Sequence, residues 1–573
     1  MPFLRSAPLL LVSLALGLGA CADAQTSDLD DLLTAYHDAG LLSGTVLVGE
    51  AGEIVYERGF GEANRAWGIP NAPDTRFRIA SVTKQFTAAL VLQLVEEGLV
   101  DLDAPLTRYL PDYPAAQGDR VTVHQLLSHT SGIPEHVGAP GFADLMRDPV
   151  EPDSFLAVFS GRALDFEPGS AYRYSNSGYV VLGVLIERVT GQPYADALRE
   201  RLLGPLGLDD TAYDDGSTVL ERAASGYVRT GGAFEHAPYL DPSVPYAAGM
   251  LSSTARDLLR WTEALHAAEP FESPATFERM TTPVLADYGY GIGVSDLALG
   301  EVTVRSVGHD GSIPGFSSFV VHFPEADRTV VVLDNASGGT RTVALNVARV
   351  LYGQGAESPA RSIGSLLESV IETDGVEAAA ARYREIRQGG GEGYDLSEPQ
   401  LNALGYAYLQ RGEVETAIAV FALNVEAFPD AWNPYDSLGE AHIVAGDSAR
   451  AAESYQQALA RNPVAPSALD ALDRLGVEPD VVAVVVPEAA LAAYVGRYAL
   501  GRGVEVAVTR EGDTLFAEAT GRPRLELLPV SETRFYVPQV DVSIVFTRSG
   551  DGPAERLLLS GGGGEDLTGE RVE

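Results

Sequence analysis

The chain has 573 residues, of which 46% are hydrophobic and 21% charged, so it has enough apolar material for several packed domains. Eighty acidic residues face forty basic ones, and the formal net charge is −40. Such a charge repels phosphate groups and anionic headgroups, which excludes nucleic acid and a bare membrane surface as partners. A hydrated acidic surface explains the charge, and selection by a particular substrate or partner is the alternative.

The basic residues are unusual in kind, because Lys84 is the only lysine among the forty. Arginine stays charged at working pH, whereas a lysine can be tuned to accept a proton. Phosphate-binding Walker-A loops and Schiff-base chemistry both require a lysine, so neither is available away from Lys84.

The N-terminus predicts export. Met1–Arg5 carries positive charge, and residues 9–18 form an apolar segment too short to span a bilayer in the mature protein. Leu18–Cys21 reads Leu-Gly-Ala-Cys and resembles a bacterial lipoprotein signal, which implies a signal peptide over 1–21 and lipidation at Cys21. Cleavage near Ala22–Ala24 without a lipid is the alternative. We expect a periplasmic or cell-envelope protein that meets the membrane only through this anchor.

Cys21 is also the only cysteine, which excludes disulfides within the chain, Cys-x-x-Cys zinc sites and a cysteine nucleophile. The nine histidines are scattered and form no His-Glu-x-x-His pair, so we expect no metal.

The first domain is predicted over residues 29–353. Strand-like alternation begins and ends this stretch, with a hairpin turn at 50–53, and helix-like periodicity fills the middle. This layout predicts an α/β domain of the α+β type, in which helices flank an antiparallel sheet built from both ends of the domain. The expected strands are Gly44–Val48, Ile54–Tyr56, Val302–Val307, Phe316–Phe323 and Thr329–Leu333.

A helical region is predicted over residues 362–475, and it contains a repeat of thirty-four residues. The period and pattern resemble tetratricopeptide repeats, which implies docking of a protein partner as an accessory role. Two repeats are fewer than such stacks need, so Ser362–Arg387 is expected to add another helical pair. The first copy, Leu404, Gly405, Tyr408, Ala417, Phe421 and Pro429, recurs as Leu438, Gly439, His442, Ala451, Tyr455 and Pro463.

The last stretch, residues 485–573, returns to a period of two and predicts a small all-β domain, with a barrel as the favoured form. Turn residues separate five strand-like runs: Val504–Val508, Thr514–Glu518, Arg524–Leu528, Arg534–Val537 and Val542–Thr547.

Ser81-Val82-Thr83-Lys84 is the first candidate motif, and the apolar helical run Phe86–Leu94 follows it. Residues three apart on a helix lie on one face, so the hydroxyl of Ser81 and the amine of Lys84 can share a proton. A serine hydroxyl is a weak nucleophile until a neighbouring base removes that proton, and a desolvated lysine can act as such a base.

Two further motifs supply polar groups. In Tyr174-Ser175-Asn176, the phenol can relay protons and the amide of Asn176 can orient Lys84 and a substrate amide. Gly308-His309-Asp310-Gly311-Ser312 is expected at the head of the strand that begins at Phe316. Its glycines permit close approach of a substrate, and the backbone N–H of Ser312 can join that of Ser81 as an oxyanion hole.

In this order and spacing, the three motifs resemble the serine β-lactamase and penicillin-binding-protein superfamily, including class C β-lactamases, D-aminopeptidases and esterases. Leu126–Pro134 is similar to a loop typical of that family. The resemblance implies an acyl-enzyme mechanism on small peptide, amide or ester substrates, with no cofactor. It also implies that the C-terminal β domain is lipocalin-like.

The resemblance assigns roles to the motif residues. Ser81 is the nucleophile, Lys84 the proton acceptor and Tyr174 the general base and acid. Asn176 contacts a substrate amide, and His309 lies on the strand flanking the site. We expect His129, in the loop Leu126–Pro134, to be structural.

Asp310 departs from the family pattern, because many members have a threonine between the cation and the glycine. That hydroxyl helps to hold a substrate carboxylate, which Asp310 would repel. β-Lactamase and carboxypeptidase activity are therefore disfavoured. Two other functions stay open: a non-catalytic sensor that uses a degenerate hydrolase fold, and an envelope scaffold built on the helical repeats.

Overall fold

The computed structural model describes residues 25–573 except positions 138, 140, 231–232, 337, 392, 481–485, 502–503, 521, 523, 538, 541, 549–551, 562–566 and 573. The predicted signal peptide, 1–21, and Cys21 lie outside the described residues. The chain divides into two compact units, residues 1–361 and 362–573. Among the described residues, no helix combines the length and apolarity needed to cross a bilayer.

A six-stranded antiparallel sheet organises the first unit, and both ends of the unit contribute to it, as predicted. The turn at Ala51 and Gly52 has positive φ at both residues, which matches the tight turns that join twisted antiparallel strands. The edge strand Gly293–Leu299 was not predicted. In sheet order the strands are Gly293–Leu299, Val302–Ile313, Phe316–Phe323, Arg328–Asp334, Gly44–Glu50 and Glu53–Phe60.

Successive residues of a strand point to opposite faces, and both faces of this sheet are covered. Val46 and Val48 pack under helix 25–38 and helix Thr340–Leu351 on one face. Leu47 points into a larger core on the other face, which contains most of the inserted helices. The nearly continuous apolar character of the central strands follows from this two-sided burial.

The segment between the two groups of strands consists mostly of helices and long loops, as predicted. Its helices are Thr83–Glu96, Ala115–Gly118, Val123–Leu127, Phe142–Leu145, Pro152–Ser160, Asn176–Thr190, Tyr194–Leu198, Tyr246–Gly249, Ala255–His266 and Pro274–Met280, with 3-10 turns Ala80–Val82 and Leu106–Arg108 and a π-helical turn Arg199–Leu203. Its short strands are Glu62–Asn64, Ile69–Pro70, Phe77–Arg78, Ala212–Tyr213, Tyr227–Thr230, Ala233–His236 and Leu251–Ser253.

The second unit begins with helices that pack in consecutive pairs. Gly405 lies against Phe421, and thirty-four residues later Gly439 lies against Tyr455. A Cβ at Gly405 would stand 2.4 Å from the ring of Phe421, so the sequence repeat corresponds to a repeated close helix contact. Assignment to the tetratricopeptide family stays a prediction. The helices are Ile363–Asp374, Val376–Gln388, Glu398–Gln410, Val414–Ala427, Asn433–Val444, Ser448–Leu459, Pro466–Leu475 and Glu488–Tyr494.

A closed barrel of eight strands ends the second unit, so the predicted all-β domain is present. Aromatic rings fill part of its interior, where Tyr494 stacks on Phe546 at 4.4 Å between ring centroids. Three strands were not predicted: Gly496–Gly501, Arg556–Gly561 and Leu567–Arg571. The other five are Val504–Glu511, Thr514–Ala519, Leu525–Pro529, Arg534–Val537 and Val542–Thr547. Its lipocalin-like character and the domain boundaries of the chain stay predictions.

Candidate active site

The amine of Lys84 lies at the centre of the candidate site. Lys84 is in the first turn of helix Thr83–Glu96, and its side chain is completely buried. Its Nζ lies 3.0 Å from Ser81 Oγ, 2.9 Å from Asn176 Oδ1 and 2.7 Å from the carbonyl oxygen of Ala248. The structure therefore brings the first and second sequence motifs into direct contact.

Ser81 lies on the 3-10 turn Ala80–Val82, immediately before that helix. The preceding residue, Ala80, has a φ of +46°, a left-handed conformation that costs a residue with a Cβ about 1 kcal/mol or more. Strain of this kind persists only where the surrounding structure holds it, and it is typical of functional sites.

Burial controls the protonation of Lys84. Desolvation lowers the pKa of Lys84 from 10.5 to about 7, while the negative charges of Glu135 and Asp310 oppose the decrease. At neutral pH, protonated and neutral amine are consequently both populated.

The three hydrogen-bond partners of Lys84 differ in what they can do. The oxygens of Asn176 and Ala248 are carbonyl oxygens, which only accept hydrogen bonds, whereas the hydroxyl of Ser81 can also donate one. A neutral amine can donate to both carbonyls and turn its lone pair towards Ser81. Loss of a proton from Lys84 therefore lets the Ser81–Lys84 hydrogen bond reverse.

Tyr174 and Asn176 reach the site from the start of helix Asn176–Thr190, where Ser175 caps the helix by accepting a hydrogen bond from Gly178 N–H. The Tyr174 ring centroid lies 4.9 Å from Lys84 Nζ. The hydroxyl of Tyr174 is buried and has no partner with hydrogen-bond geometry in the described part of the chain. Burial raises the pKa of Tyr174 well above its usual value, against an opposing effect of nearby Ser81, so the phenol stays protonated at neutral pH.

The third motif does not occupy its predicted place at the head of a strand. Residues 308–312 lie within strand Val302–Ile313, which ends at Ile313 rather than near Val307. The strand continues because residues up to Ile313 pair with Phe316–Phe323. Its other neighbour, Gly293–Leu299, pairs only as far as Gly308. The edge of residues 309–313 is thus left unpaired by that neighbour.

His309 and Gly311 point to the face of the strand that meets Ser81. A Cβ at Gly311 would lie 2.8 Å from Ser81 N and 2.4 Å from the carbonyl oxygen of Ile79, so only glycine fits. His309 is buried, with Nε2 2.8 Å from the hydroxyl of Tyr288. Burial and the charge of Lys84 lower the pKa of His309 to about 4, so the imidazole is neutral at pH 7.

Asp310 and Ser312 alternate with these residues and are exposed. Asp310 makes no salt bridge in the part of the chain that the structure describes, and it lines the same cavity as Ser81. That cavity has a volume of about 450 Å3. Its polar lining residues are Ser81, Tyr174, Asn176 and residues 309–312, and its apolar ones include Val137, Phe142, Met146, Leu240, Val244 and Ile313.

His129 has the structural role expected from the sequence. Its Nδ1 accepts a hydrogen bond from Ser175 N–H at 3.1 Å, and its carbonyl oxygen accepts one from Arg173 N–H at 2.9 Å. Its ring also lies 4.2 Å from that of Tyr174, centroid to centroid. His129 therefore fixes the segment that carries Tyr174.

Two groups of the site were not identified from the sequence. One is the carbonyl of Ala248, which gives no side-chain signal. The other is Glu135, whose carboxylate accepts a hydrogen bond from Asn176 N–H at 2.5 Å. Glu135 directly follows the recognised loop Leu126–Pro134, and that position was the available clue. Within the described residues, no group of three or more His, Cys, Asp or Glu side chains could hold a metal ion.

Comparison with known proteins identifies the class. The Beta-lactamase family model matches residues 29–354, and the chain belongs to this family of serine hydrolases. A second model, Domain of unknown function (DUF3471), matches residues 481–571.

Individual relatives agree with the family. Penicillin-binding protein 4* of Bacillus subtilis is 26% identical over 551 residues, which cover 91% of this chain and 94% of the relative. Esterase EstB of Burkholderia gladioli is 39% identical over 194 residues, 31% of this chain and 49% of the esterase. The octameric penicillin-binding protein homologue from Pyrococcus abyssi aligns over 95% of this chain and 99% of its own, with a TM-score of 0.51 and 21% identity. This last likeness concerns the fold alone.

The close fit at Gly311 gives a testable prediction. In Gly311→Ala, the added Cβ must displace the backbone of Ser81, and the N–H expected to bind an oxyanion moves with it. Loss of one such donor costs on the order of 100-fold, so covalent labelling by a fluorophosphonate should slow by about that factor. Gly161→Ala is the matched control, because a Cβ there meets nothing within 4 Å. Labelling of Gly311→Ala within threefold of the wild-type rate would contradict the assigned geometry.

Proposed function

We propose that this protein is an exported serine hydrolase that cleaves amide, peptide or ester bonds through an acyl-enzyme on Ser81. The observation that carries the proposal is the 3.0 Å contact between Ser81 Oγ and a fully buried lysine amine. With a pKa of about 7, that amine is available as a base at neutral pH. The main alternative is a non-catalytic envelope sensor or scaffold, which has no use for such a base.

In the proposed acylation, neutral Lys84 accepts the proton of Ser81 as Oγ attacks the substrate carbonyl carbon. Negative charge develops on the carbonyl oxygen, and the backbone N–H groups of Ser81 and Ser312 are the candidate donors to it. The fit of Gly311 against Ser81 N supports this assignment, since it holds strand 309–313 close to the nucleophile.

Collapse of the tetrahedral intermediate requires a proton on the leaving group. Tyr174 suits this role, because its hydroxyl is buried beside Ser81 and its raised pKa keeps it protonated. Tyr174 gives its proton to the departing amine or alcohol and regains one from the Lys84 ammonium. Water then attacks the acyl-enzyme: Tyr174 takes a proton from the water as it passes its own proton to Lys84. The Lys84 ammonium then gives that proton to Ser81 Oγ as the acid product leaves. The pKa directions favour Lys84 rather than Tyr174 as the base.

The cavity supports a substrate with an apolar group. Val137, Phe142, Met146 and other apolar side chains line the cavity, and its volume of about 450 Å3 can hold an aromatic or branched aliphatic group. The likeness to esterase EstB supports esters among the substrates. We therefore favour neutral esters and amides, or substrates that carry an amine, over penicillins.

Asp310 supports that preference by its charge. A substrate carboxylate near Asp310 meets a repulsion of about 4 kcal/mol at about 4 Å and an effective dielectric near 20, an upper value because Asp310 is exposed. A quarter of this energy still corresponds to about fivefold in acylation rate.

Two further proposals rest on sequence. Leu18–Cys21 supports export with a lipid anchor at Cys21. The thirty-four-residue repeat supports docking of a protein partner on the helices of the second unit.

The nucleophile can be tested by mass. Ser81→Ala should take up no fluorophosphonate, whereas wild type and Ser295→Ala should each gain one adduct, measured by intact-mass spectrometry. Ser295 borders a neighbouring cavity of about 180 Å3 and serves as the matched serine. An adduct that persists on Ser81→Ala would move the nucleophile elsewhere, and no adduct on wild type would favour the sensor or scaffold.

The role of Asp310 can be tested by specificity. Asp310→Thr removes the negative charge, so kcat/KM for a chromogenic cephalosporin relative to a neutral p-nitrophenyl ester should rise by about fivefold or more. Asp296→Thr, an exposed aspartate on the neighbouring strand, should leave this ratio unchanged. Efficient cephalosporin turnover by the wild-type chain would show that Asp310 does not oppose a substrate carboxylate.

A further inference from the structure

Glu135 occupies an unusual position beside the site. Its side chain is 19% exposed, and both carboxylate oxygens are in use. Oε2 accepts a hydrogen bond from Asn176 N–H, and Oε1 accepts from the backbone N–H groups of His136 at 2.9 Å and Val137 at 2.8 Å. Three backbone donors therefore hold the carboxylate in one orientation.

The hydrogen bond to Asn176 joins Glu135 to helix Asn176–Thr190. The first N–H groups of a helix lack partners within it, and the N-terminus favours negative charge. The first turn of this helix contains no acidic residue of its own. Glu135, forty-one residues earlier in the chain, supplies the missing carboxylate.

Asn176 consequently stands between two opposite charges. Its backbone N–H points to the carboxylate of Glu135, and its side-chain Oδ1 accepts from Lys84 Nζ at 2.9 Å. A carboxylate in direct contact would hold Lys84 as an ammonium and remove the base. Without any counter-charge, the buried amine would lose its proton more readily still.

We propose that Glu135 is a positioning residue of the hydrolase, which fixes Asn176 against Lys84 and supplies a counter-charge to the buried amine across one intervening residue. This inference rests on the proposed function. Through its hydrogen bond to Asn176 N–H, Glu135 fixes the position of Asn176 Oδ1 relative to Lys84 Nζ. It thereby fixes the geometry of the Ser81–Lys84 contact. Through its charge, it raises the pH above which Lys84 becomes a base.

Of the two carboxylates that act on Lys84, Glu135 is the less exposed. Glu135 and Asp310 are the two carboxylates that raise the pKa of Lys84, and Asp310 is exposed and therefore better screened by water. The remaining neighbours stay neutral at pH 7, because burial lowers the pKa of the histidines and raises that of the tyrosines: His129, His136, His309, Tyr174 and Tyr179.

Two variants test the charge and the length of the Glu135 side chain. Glu135→Gln keeps the length of the side chain but removes the charge and replaces one of the two acceptor oxygens with an NH2 group. Lys84 should therefore deprotonate at lower pH, and part of the plateau rate should be lost as well. The acid limb of kcat/KM for a neutral p-nitrophenyl ester should shift down by about half a pH unit or more. Glu135→Asp keeps the charge but is one methylene shorter. Its acid limb should stay near the wild-type midpoint, while the plateau rate falls about tenfold because Asn176 is no longer held in place.

Glu167→Gln is the matched control, since Glu167 is 71% exposed and pairs with Arg120. Its pH profile should equal that of wild type. A uniform loss of rate in Glu135→Gln with an unshifted acid limb would reduce Glu135 to a structural residue and overturn the inference. If Glu135→Gln does not fold, Glu135→Asp decides alone. A plateau rate equal to that of wild type, or a shifted acid limb of kcat/KM, in that variant would overturn the inference. Absence of turnover in wild type would overturn the proposed function, and the inference with it.

Discussion

The burial of one ammonium group is the constraint on which the site depends. Lys84 has no exposure to solvent, and a charge in such a place is tolerated only when every proton has an acceptor. Ser81, Asn176 and Ala248 supply the three acceptors, and each comes from a different part of the chain. The same burial lowers the pKa of the amine. Desolvation of Lys84 therefore accounts both for its hydrogen-bond geometry and for its suitability as a base.

Several segments of the fold hold these acceptors and the nucleophile in place. Helix Thr83–Glu96 is almost wholly buried, which holds Lys84 and the preceding turn with Ser81 in place. His129 holds the segment that carries Tyr174, and Glu135 holds the start of helix Asn176–Thr190. The fit of Gly311 against Ser81 N sets the separation of the nucleophile from the sheet edge. Positioning is thus distributed over several segments, whereas the proposed proton transfer involves three side chains.

Sequence patterns predicted the parts of the fold in which one face or both faces of an element are buried. The valine-rich strands around Val46 and Val330 were predicted for this reason. Strand Gly293–Leu299 was not, because it lies at the sheet edge and two of its side chains, Asp296 and Ala298, are exposed. The three unpredicted barrel strands contain glycines or charged residues that interrupt the period-two pattern.

In the site, too, residues defined by local spacing were predicted, whereas those defined by long-range contacts were missed or misplaced. The spacing of Ser81 and Lys84 is local, and the single lysine made it conspicuous among many chance matches. Glu135 is one of eighty acidic residues, and its importance comes from a contact with Asn176 across forty-one positions. The place of His309–Ser312 depended on strand pairing with Phe316–Phe323, which local composition does not encode.

The most direct test of the account is the titration of Lys84 itself. Because the chain contains a single lysine, protein labelled with [13Cε]lysine gives one resonance, whose chemical shift against pH reports this amine alone. The account predicts a midpoint near pH 7, as expected for an amine desolvated beside Ser81 and Asn176. A midpoint near the ordinary lysine value of 10.5 would show that Lys84 stays an ammonium at neutral pH, and its role as the base would be contradicted.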